Sequence, residues 1–450
     1  MNIPTNILAL VFVLSFLIVF HEGGHYAFAK LFRFPVDVFS LGFGKRLFGF
    51  KRKETDYRVS LIPLGGYVKV VGLGPDESDI VSGTSSTSVA QPGTRLQRLV
   101  ILVAGPGVNL ILAVLLTASA FMIGVDVPKY WSEPPLVKYV DAGSPAERAG
   151  IQVDDLIVQL SGKPVSTWKE VEVDLGLSPR LNVPVGILRN GQPMTLTLRP
   201  EPLTEEQKKY DVGFTGLHAL VPVYIGTLLA DSPGAKAGLR VGDRIVSVNG
   251  HEVSCFAAVV WRISQAASDF REKGPRPIDF VIERAGQRLT IPITPRPEGA
   301  AWKIGFSATL YDTVRRRLSF VPALGAARKE LVEQTKTTFG VVGRLLTGKG
   351  SMRQLSGPID IAKFSGEAAR TGPAALAGLM GMLSLQLGLL NLLPIPLLDG
   401  GQIFVTLLES MARRDFSLKV KERLLQAGFV FLVLVMVTVL YFDVIKNISF

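Results

Sequence analysis

The stretch "FLIVFHEGGHYAFAK", Phe16 to Lys30, decides how this chain is read: two histidines and a glutamate interrupt what is otherwise membrane-spanning hydrocarbon. The composition around it suits a membrane. At 450 residues the chain is 48% hydrophobic with a mean hydropathy of +0.33, too apolar for an average soluble protein and long enough for several domains. The single cysteine, Cys255, excludes an internal disulfide framework and a multi-cysteine zinc cluster, so a metal site must use His, Asp or Glu. A formal charge of +11 raises nucleic acid as a partner. No nucleic-acid motif accompanies it, and cytoplasmic loops rich in Lys and Arg account for it.

Four segments are apolar enough to cross a bilayer core, which takes roughly 20 residues. The division that follows is a transmembrane helix over 1–29, a cytoplasmic β region over 30–94 and a second span over 95–125. A repeated module covers 126–205 and 206–307, and an amphipathic helical segment 308–371. A third span covers 372–410, a loop 411–423, and the last span with the C-terminus 424–450. No Lys or Arg precedes Lys30, so the basic start of a signal peptide is missing and the first span is expected to be retained. Lys and Arg concentrate in residues 30–58 and again between Arg413 and Arg423, which makes those loops cytoplasmic. The module and both termini are then expected on the outer side of the membrane.

The module repeats at an offset of 88 residues. "AGSPAERAGIQVDDLIVQLSGKPV" (Ala142 to Val165) matches "ADSPGAKAGLRVGDRIVSVNGHEV" (Ala230 to Val253) at eleven of 24 positions. Each copy resembles the bacterial PDZ domain, although Asp154 and Ser161 of the first stand where the pattern has Gly and Asn. Such domains bind peptides at a sheet edge. The entry "DVGFTG" (Asp211 to Gly216), with Val212, Gly213 and Phe214, is the candidate peptide-binding loop of the second copy. Further on, Thr313 to Gly350 has the rhythm of a helix lying at the outer membrane surface or against the spans. Its "GRLLTGKG" lacks the Ser or Thr of a phosphate-binding loop, so no nucleotide is expected.

An HExxH on a helix places His21 and His25 one turn apart on one face, where both imidazoles reach one Zn²⁺. Glu22 projects beside them without ligating, placed to take up a proton from attacking water. Ionisable groups inside hydrocarbon cost roughly 2.5 to 3.5 kcal/mol each, so their presence there signals function. A third ligand is found by depth. Helical rise carries the chain roughly 27 Å inward by His21, and the third span delivers Asp399 to the same depth. In "NLLPIPLLDGG", Pro394 and Pro396 break the helix, and Gly400 and Gly401 are expected to let the backbone turn. Gly23 and Gly24 are expected to admit a neighbouring chain closely.

HExxH in the first span, "NLLPIPLLDGG" in a late one and paired PDZ-like repeats between them resemble the site-2 protease family of intramembrane zinc proteases. The resemblance covers essentially the whole chain. It implies His21, His25 and Asp399 as zinc ligands, Glu22 as catalytic base and Asn391 as a holder of substrate backbone. It also implies a membrane-associated β region whose Gly42-Phe43-Gly44 meets substrate. The fold expected is a polytopic α-helical membrane protein of four transmembrane helices, with two tandem periplasmic PDZ domains and a membrane-associated cytoplasmic β-hairpin region. Its substrates would be single-pass membrane proteins: an anti-sigma factor after a first extracytoplasmic cut, and remnant signal peptides. Membrane lipid is the other partner. Two rival readings are a non-enzymatic PDZ adaptor, which leaves HEGGH and Asp399 unexplained, and a protease of soluble peptides, which leaves the depth of the site unexplained.

Overall fold

The computed structural model describes residues 3–71, 93–202, 205–268, 270–298, 301–309 and 313–447. Residues 72–92 of the expected β region lie outside the described residues. The chain divides into two compact units, Met1–Val125 with Arg316–Phe450, and Asp126–Arg315.

The first unit is helical. Helix α1 (Ile3–Leu31) is apolar on all sides, yet its buried residues, Asn6, Val13, Leu17, His21, Gly24, His25 and Ala29, form one stripe. That stripe packs on α2 (Arg95–Ile123), which begins at a Thr94/Gln97 capping box and contains Pro106. Helix α3 (Phe320–Leu346) crosses α2 through Ala323, Ala327 and Leu331, so the expected amphipathic segment lies against the spans. Helices α4 (Pro358–Thr371), α5 (Pro373–Asn391), α6 (Asp399–Ala412) and α7 (Leu418–Asn447) complete the unit. Among the described residues four helices are long and apolar enough to cross a membrane: α1, α2, α5 and, in α7, Lys419–Asn447. Of α2's most apolar stretch 44% is buried, against 11% of α7's, which makes α2 the central post and α7 a peripheral one.

Between α1 and α2 stand two long strands, β1 (Val36–Arg52) and β2 (Thr55–Val70). They form more than a simple hairpin. Residues 38–41 of β1 pair with 66–69 and also with 56–59 of β2, and 46–52 pair back onto 55–60. Two bent strands thus build a curled sheet of four segments. Gly42 is one bend: its φ of +90° is left-handed backbone, and a Cβ there would lie 2.7 Å from the Ile62 carbonyl oxygen.

The second unit contains both copies of the repeat, each with its own core. Ile157, Leu160, Trp168, Val185, Ile187 and Leu198 fill the first; Ile225, Ile245, Val248, Phe280 and Ile282 fill the second. In the first, the strands run in the order Lys163–Pro164, Leu156–Leu160, Val183–Arg189, Gln192–Leu198. In the second, Gln287–Ile293, Ile278–Arg284, Arg244–Val248, Val223–Leu228 and Phe306–Thr309 are neighbours in turn. The shared Ser-Pro is a helix start in both: Ser144 caps Glu147 N–H and Ser232 caps Ala235 N–H, each at 3.2 Å. The shared aspartate is a buried anchor in both. Asp155 takes two hydrogen bonds from Arg189 (2.8 and 2.7 Å), and Asp243 takes two from Arg284 (2.7 Å each).

The boundary between copies differs from the expected 205/206. Leu217–His218 pairs with Tyr139–Val140, and Ala146 N–H donates to Thr215 O, so the chain up to His218 completes the first copy. The equivalent bond in the second copy runs from Gly234 N–H to Ile304 O. Each copy is closed by a strand that follows its core rather than precedes it.

Candidate metal centre

The site is assembled from four helices, α1, α2, α5 and α6. HEGGH lies toward the C-terminal end of α1, where helical spacing sets His21 and His25 side by side with ring centroids 4.9 Å apart. The α5–α6 break brings Asp399 to them. Its Oδ2 is 3.1 Å from His21 Nε2 and 3.4 Å from His25 Nε2, and the two Nε2 atoms are 3.3 Å apart. The two imidazoles and the carboxylate offer one donor atom each, all within 4.8 Å of one another. Asp399 Oδ2 is buried without a conventional hydrogen-bond partner. An orphaned carboxylate oxygen facing two imidazole nitrogens is a donor set that fits zinc, which favours nitrogen and oxygen ligands in tetrahedral sites. His21 and His25 are 6% and 9% exposed, so the centre is walled from bulk solvent on their side.

The break itself works as the prolines require, but the glycines act differently from expectation. α5 ends at Asn391 and α6 starts at Asp399, with Leu397 at φ +94° between them. Gly400 and Gly401 already belong to the first turn of α6. A Cβ at either would overlap the carbonyls of Leu393 or Ile395, so their smallness lets the loop fold back across the helix start. On α1 the expectation for the paired glycines divides. A Cβ at Gly24 would lie 2.6 Å from Ala104 O of α2, whereas at Gly23 it would meet nothing.

Around the donors lies a cavity of about 290 Å³ lined by Glu22, Phe43, Tyr67, Asn391, Asp399 and Gln402 among others. Asn391 Nδ2 lies 3.3 Å from His21 Nε2. The β sheet forms another wall: Gly66 packs against Glu22, and Phe43 stacks on Tyr67 with planes 4° apart. Of the expected Gly42-Phe43-Gly44, only Phe43 lines the cavity. Val212, Gly213 and Phe214 are far from their expected role. Gly213 N–H donates to Gly176 O, and Phe214 and Glu201 exchange hydrogen bonds, so this stretch binds into the first copy.

Sequence reasoning missed the contribution of α2. His25 Nδ1 lies 2.8 Å from the Ile101 carbonyl, and His21 Nδ1 lies 3.1 Å from the Asn109 side chain. The available signal was Asn109 itself, a lone strongly polar residue in an uncharged span.

The chain was compared with known proteins on this footing. The model of Peptidase family M50 matches residues 9–435. A protein of Neisseria meningitidis serogroup A whose name describes a zinc metalloprotease is 31% identical over 98% of this chain and 99% of its own. The Regulator of sigma-E protease RseP of Salmonella typhimurium is 30% identical over 98% of this chain and 99% of its own, and the Regulator of sigma E protease of Haemophilus influenzae 28% over 97% and 98%. A family match over nearly the whole length, on a chain whose membrane helices bring two histidines and an aspartate together, leaves one conclusion: it belongs to peptidase family M50, the site-2 type of membrane-embedded zinc metalloprotease.

Proposed function

We propose that this enzyme cuts peptide bonds within the transmembrane segments of single-pass proteins, with His21, His25 and Asp399 holding zinc and Glu22 as the base. The observation that carries the reading is the convergence of both Nε2 atoms and Asp399 Oδ2 within 3.4 Å contacts beside Glu22, inside the helical unit. Bound there, zinc supplies Lewis-acid polarisation of a carbonyl and eases deprotonation of water. Glu22 takes the proton of the attacking water and returns it to the leaving amine. Asn391, beside His21, holds the substrate backbone at the cavity. The edge of the curled sheet near Phe43 receives the substrate as an extended strand, since a helical peptide bond is already hydrogen-bonded and shielded.

The Lys and Arg bias puts the β sheet and the site on the cytoplasmic side and the duplicated unit outside. Both copies of the repeat are PDZ domains on this reading. By their position they exclude substrates that retain bulky outer domains. An anti-sigma factor trimmed by an earlier cut is the substrate class, supported by the sigma-E naming of relatives, with remnant signal peptides a second class. A non-enzymatic adaptor is not favoured, since it gives the metal donors no task. The test is a Glu22→Gln protein assayed on a transmembrane peptide. Cleavage should fall by about 10²–10⁴-fold while zinc content is kept; cleavage at the wild-type rate would sink the assignment. For the filter, removal of 126–315 should admit untrimmed substrates, and unchanged selectivity would refute it.

A further inference from the structure

Because both histidines turn Nε2 toward Asp399, both turn Nδ1 toward α2, and α2 backs them in two different ways. Behind His25 stands a main-chain carbonyl, Ile101 O at 2.8 Å. Behind His21 stands the carboxamide of Asn109, at 3.1 Å and fully buried. A neutral imidazole that gives its Nε2 lone pair to a cation carries its proton on Nδ1 and must donate it. The Ile101 carbonyl accepts such a proton as it stands. Asn109 instead faces His21 with Nδ2, a donor, while its Oδ1 is buried without a partner. The oxygen and nitrogen of an amide exchange places by a half-turn of the group. That turn brings the orphaned oxygen to the Nδ1–H and satisfies both.

We propose that Asn109 is a positioning residue for the metal centre: its carboxamide oxygen accepts the Nδ1 proton of His21 and so fixes the tautomer that presents Nε2 to zinc. The inference rests on the ligand assignment above. Its geometry follows from two helices packed side by side. His25 sits opposite Ile101 and His21 opposite Asn109, and Gly105 lies between, where a Cβ would overlap the His25 ring. The asparagine is held in turn, because its own carbonyl accepts the Ser384 hydroxyl of α5 at 2.8 Å. That last bond ties helix to helix without touching the imidazole, which makes Ser384 a control.

The test uses full-length protein in detergent, with the zinc dissociation constant measured by competition against a graded chelator and the d–d absorption recorded after Co²⁺ substitution. N109L, close in shape but lacking an acceptor, and N109A should weaken zinc binding about 10–100-fold and alter the Co²⁺ spectrum. N109D keeps an acceptor and should stay within about threefold of wild type. S384A should bind zinc as wild type does. Wild-type affinity in N109L or N109A, equal losses in N109D and N109L, or an S384A loss as large as theirs would overturn the inference. D399A separates the two levels. If it keeps zinc, the ligand assignment itself fails; if it loses zinc while N109L keeps it, only the role of Asn109 fails.

Discussion

Two of the polar clusters buried in the helical unit are built on opposite plans. One is His21, His25, Asp399 and Asn109; the other joins α4 to the end of α7 through Asp360, Asp443, Lys446 and Asn447. In the second, Lys446 donates to Asp360 at 2.8 Å, and Asn447 donates to the other Asp360 oxygen at 3.0 Å. Asp443 accepts the main-chain N–H of Ile359 at 2.7 Å and of Asp360 at 3.3 Å, so it caps the exposed donors at the start of α4. Gly357 makes that approach possible, since a Cβ there would overlap the Asp443 carboxylate. Charge meets charge, and each carboxylate has donors. In the first cluster, three donor atoms converge on one another, and buried oxygens of Asp399 and Asn109 lack a conventional hydrogen bond. A satisfied cluster is a clamp. An unsatisfied one, bordered by a cavity, is a place for a ligand.

Removing the metal gives the sharpest separation. A chelator should abolish proteolysis, and added zinc should restore it, with little change in helical content by circular dichroism. Loss of helix on chelation would make the first cluster a structural clamp like the second. Breaking the clamp should do the reverse. Lys446→Met leaves buried carboxylates uncompensated and should cost about 3–5 kcal/mol, read as a large fall in thermal stability in detergent. Adding Asp360→Asn should recover part of that loss, because the unpaired charge goes too. A double variant as unstable as the single one would argue against charge compensation as the clamp's basis.

A further polar pair, Asp155 with Arg189 in the second unit, extends the comparison to a milder case. Burial pushes the Asp155 carboxyl up, but hydrogen bonds from Arg189 and from the Gln152 N–H outweigh it and hold it below its ordinary value. A depressed carboxyl stabilises the fold above its unfolded pKa, about 3.9, and the contribution fades as pH falls through the lower folded value. Hydrogen exchange of the Val183–Arg189 strand in the full chain should therefore quicken selectively as pH drops below about 4. The Arg189→Met chain should lack that acid-dependent step; an identical pH profile in both would refute the linkage. The smallest effect concerns the difference between the copies. Ser161 holds φ +49° where the second copy has Asn249 at +52°. Ser161→Asn, better suited to left-handed backbone, should stabilise the first copy by on the order of 0.5 kcal/mol, visible as slower exchange in its core. Exchange that is no slower would show that this strain is relieved elsewhere.

How far the sequence could be read depended on the range of the interactions involved. The spans were legible because hydrocarbon length is a local property: α1 and α2 start and end within two residues of the expected 1–29 and 95–125, whereas the expected third span over 372–410 is two helices, α5 and α6, separated by the proline-bearing break. The two halves of the site were legible because HEGGH and a proline-broken LDGG each carry their chemistry within a few residues. The closing strand of each repeat was not. A strand such as Leu217–His218 looks the same whether it begins one domain or ends another, and only its partner at Tyr139–Val140 assigns it. Likewise β1 and β2 alternate as strands should, but nothing local says that 56–59 will pair on both edges.

By itself, then, the sequence determined which residues would be apolar enough to enter a membrane, that His21 and His25 share a helix face, and that the module is duplicated. Depth and resemblance already singled out Asp399 as their partner, and the fold brings its Oδ2 to 3.1 Å from His21 Nε2; the tertiary structure alone decided that Asn109 and Ile101 stand behind them and that Asp443 of α7 caps α4. The physical reason is the same in each case. Helical periodicity fixes neighbours three or four residues apart, whereas these contacts join residues from 76 to 378 positions apart in the chain, and there only the packing of whole helices chooses which side chains meet.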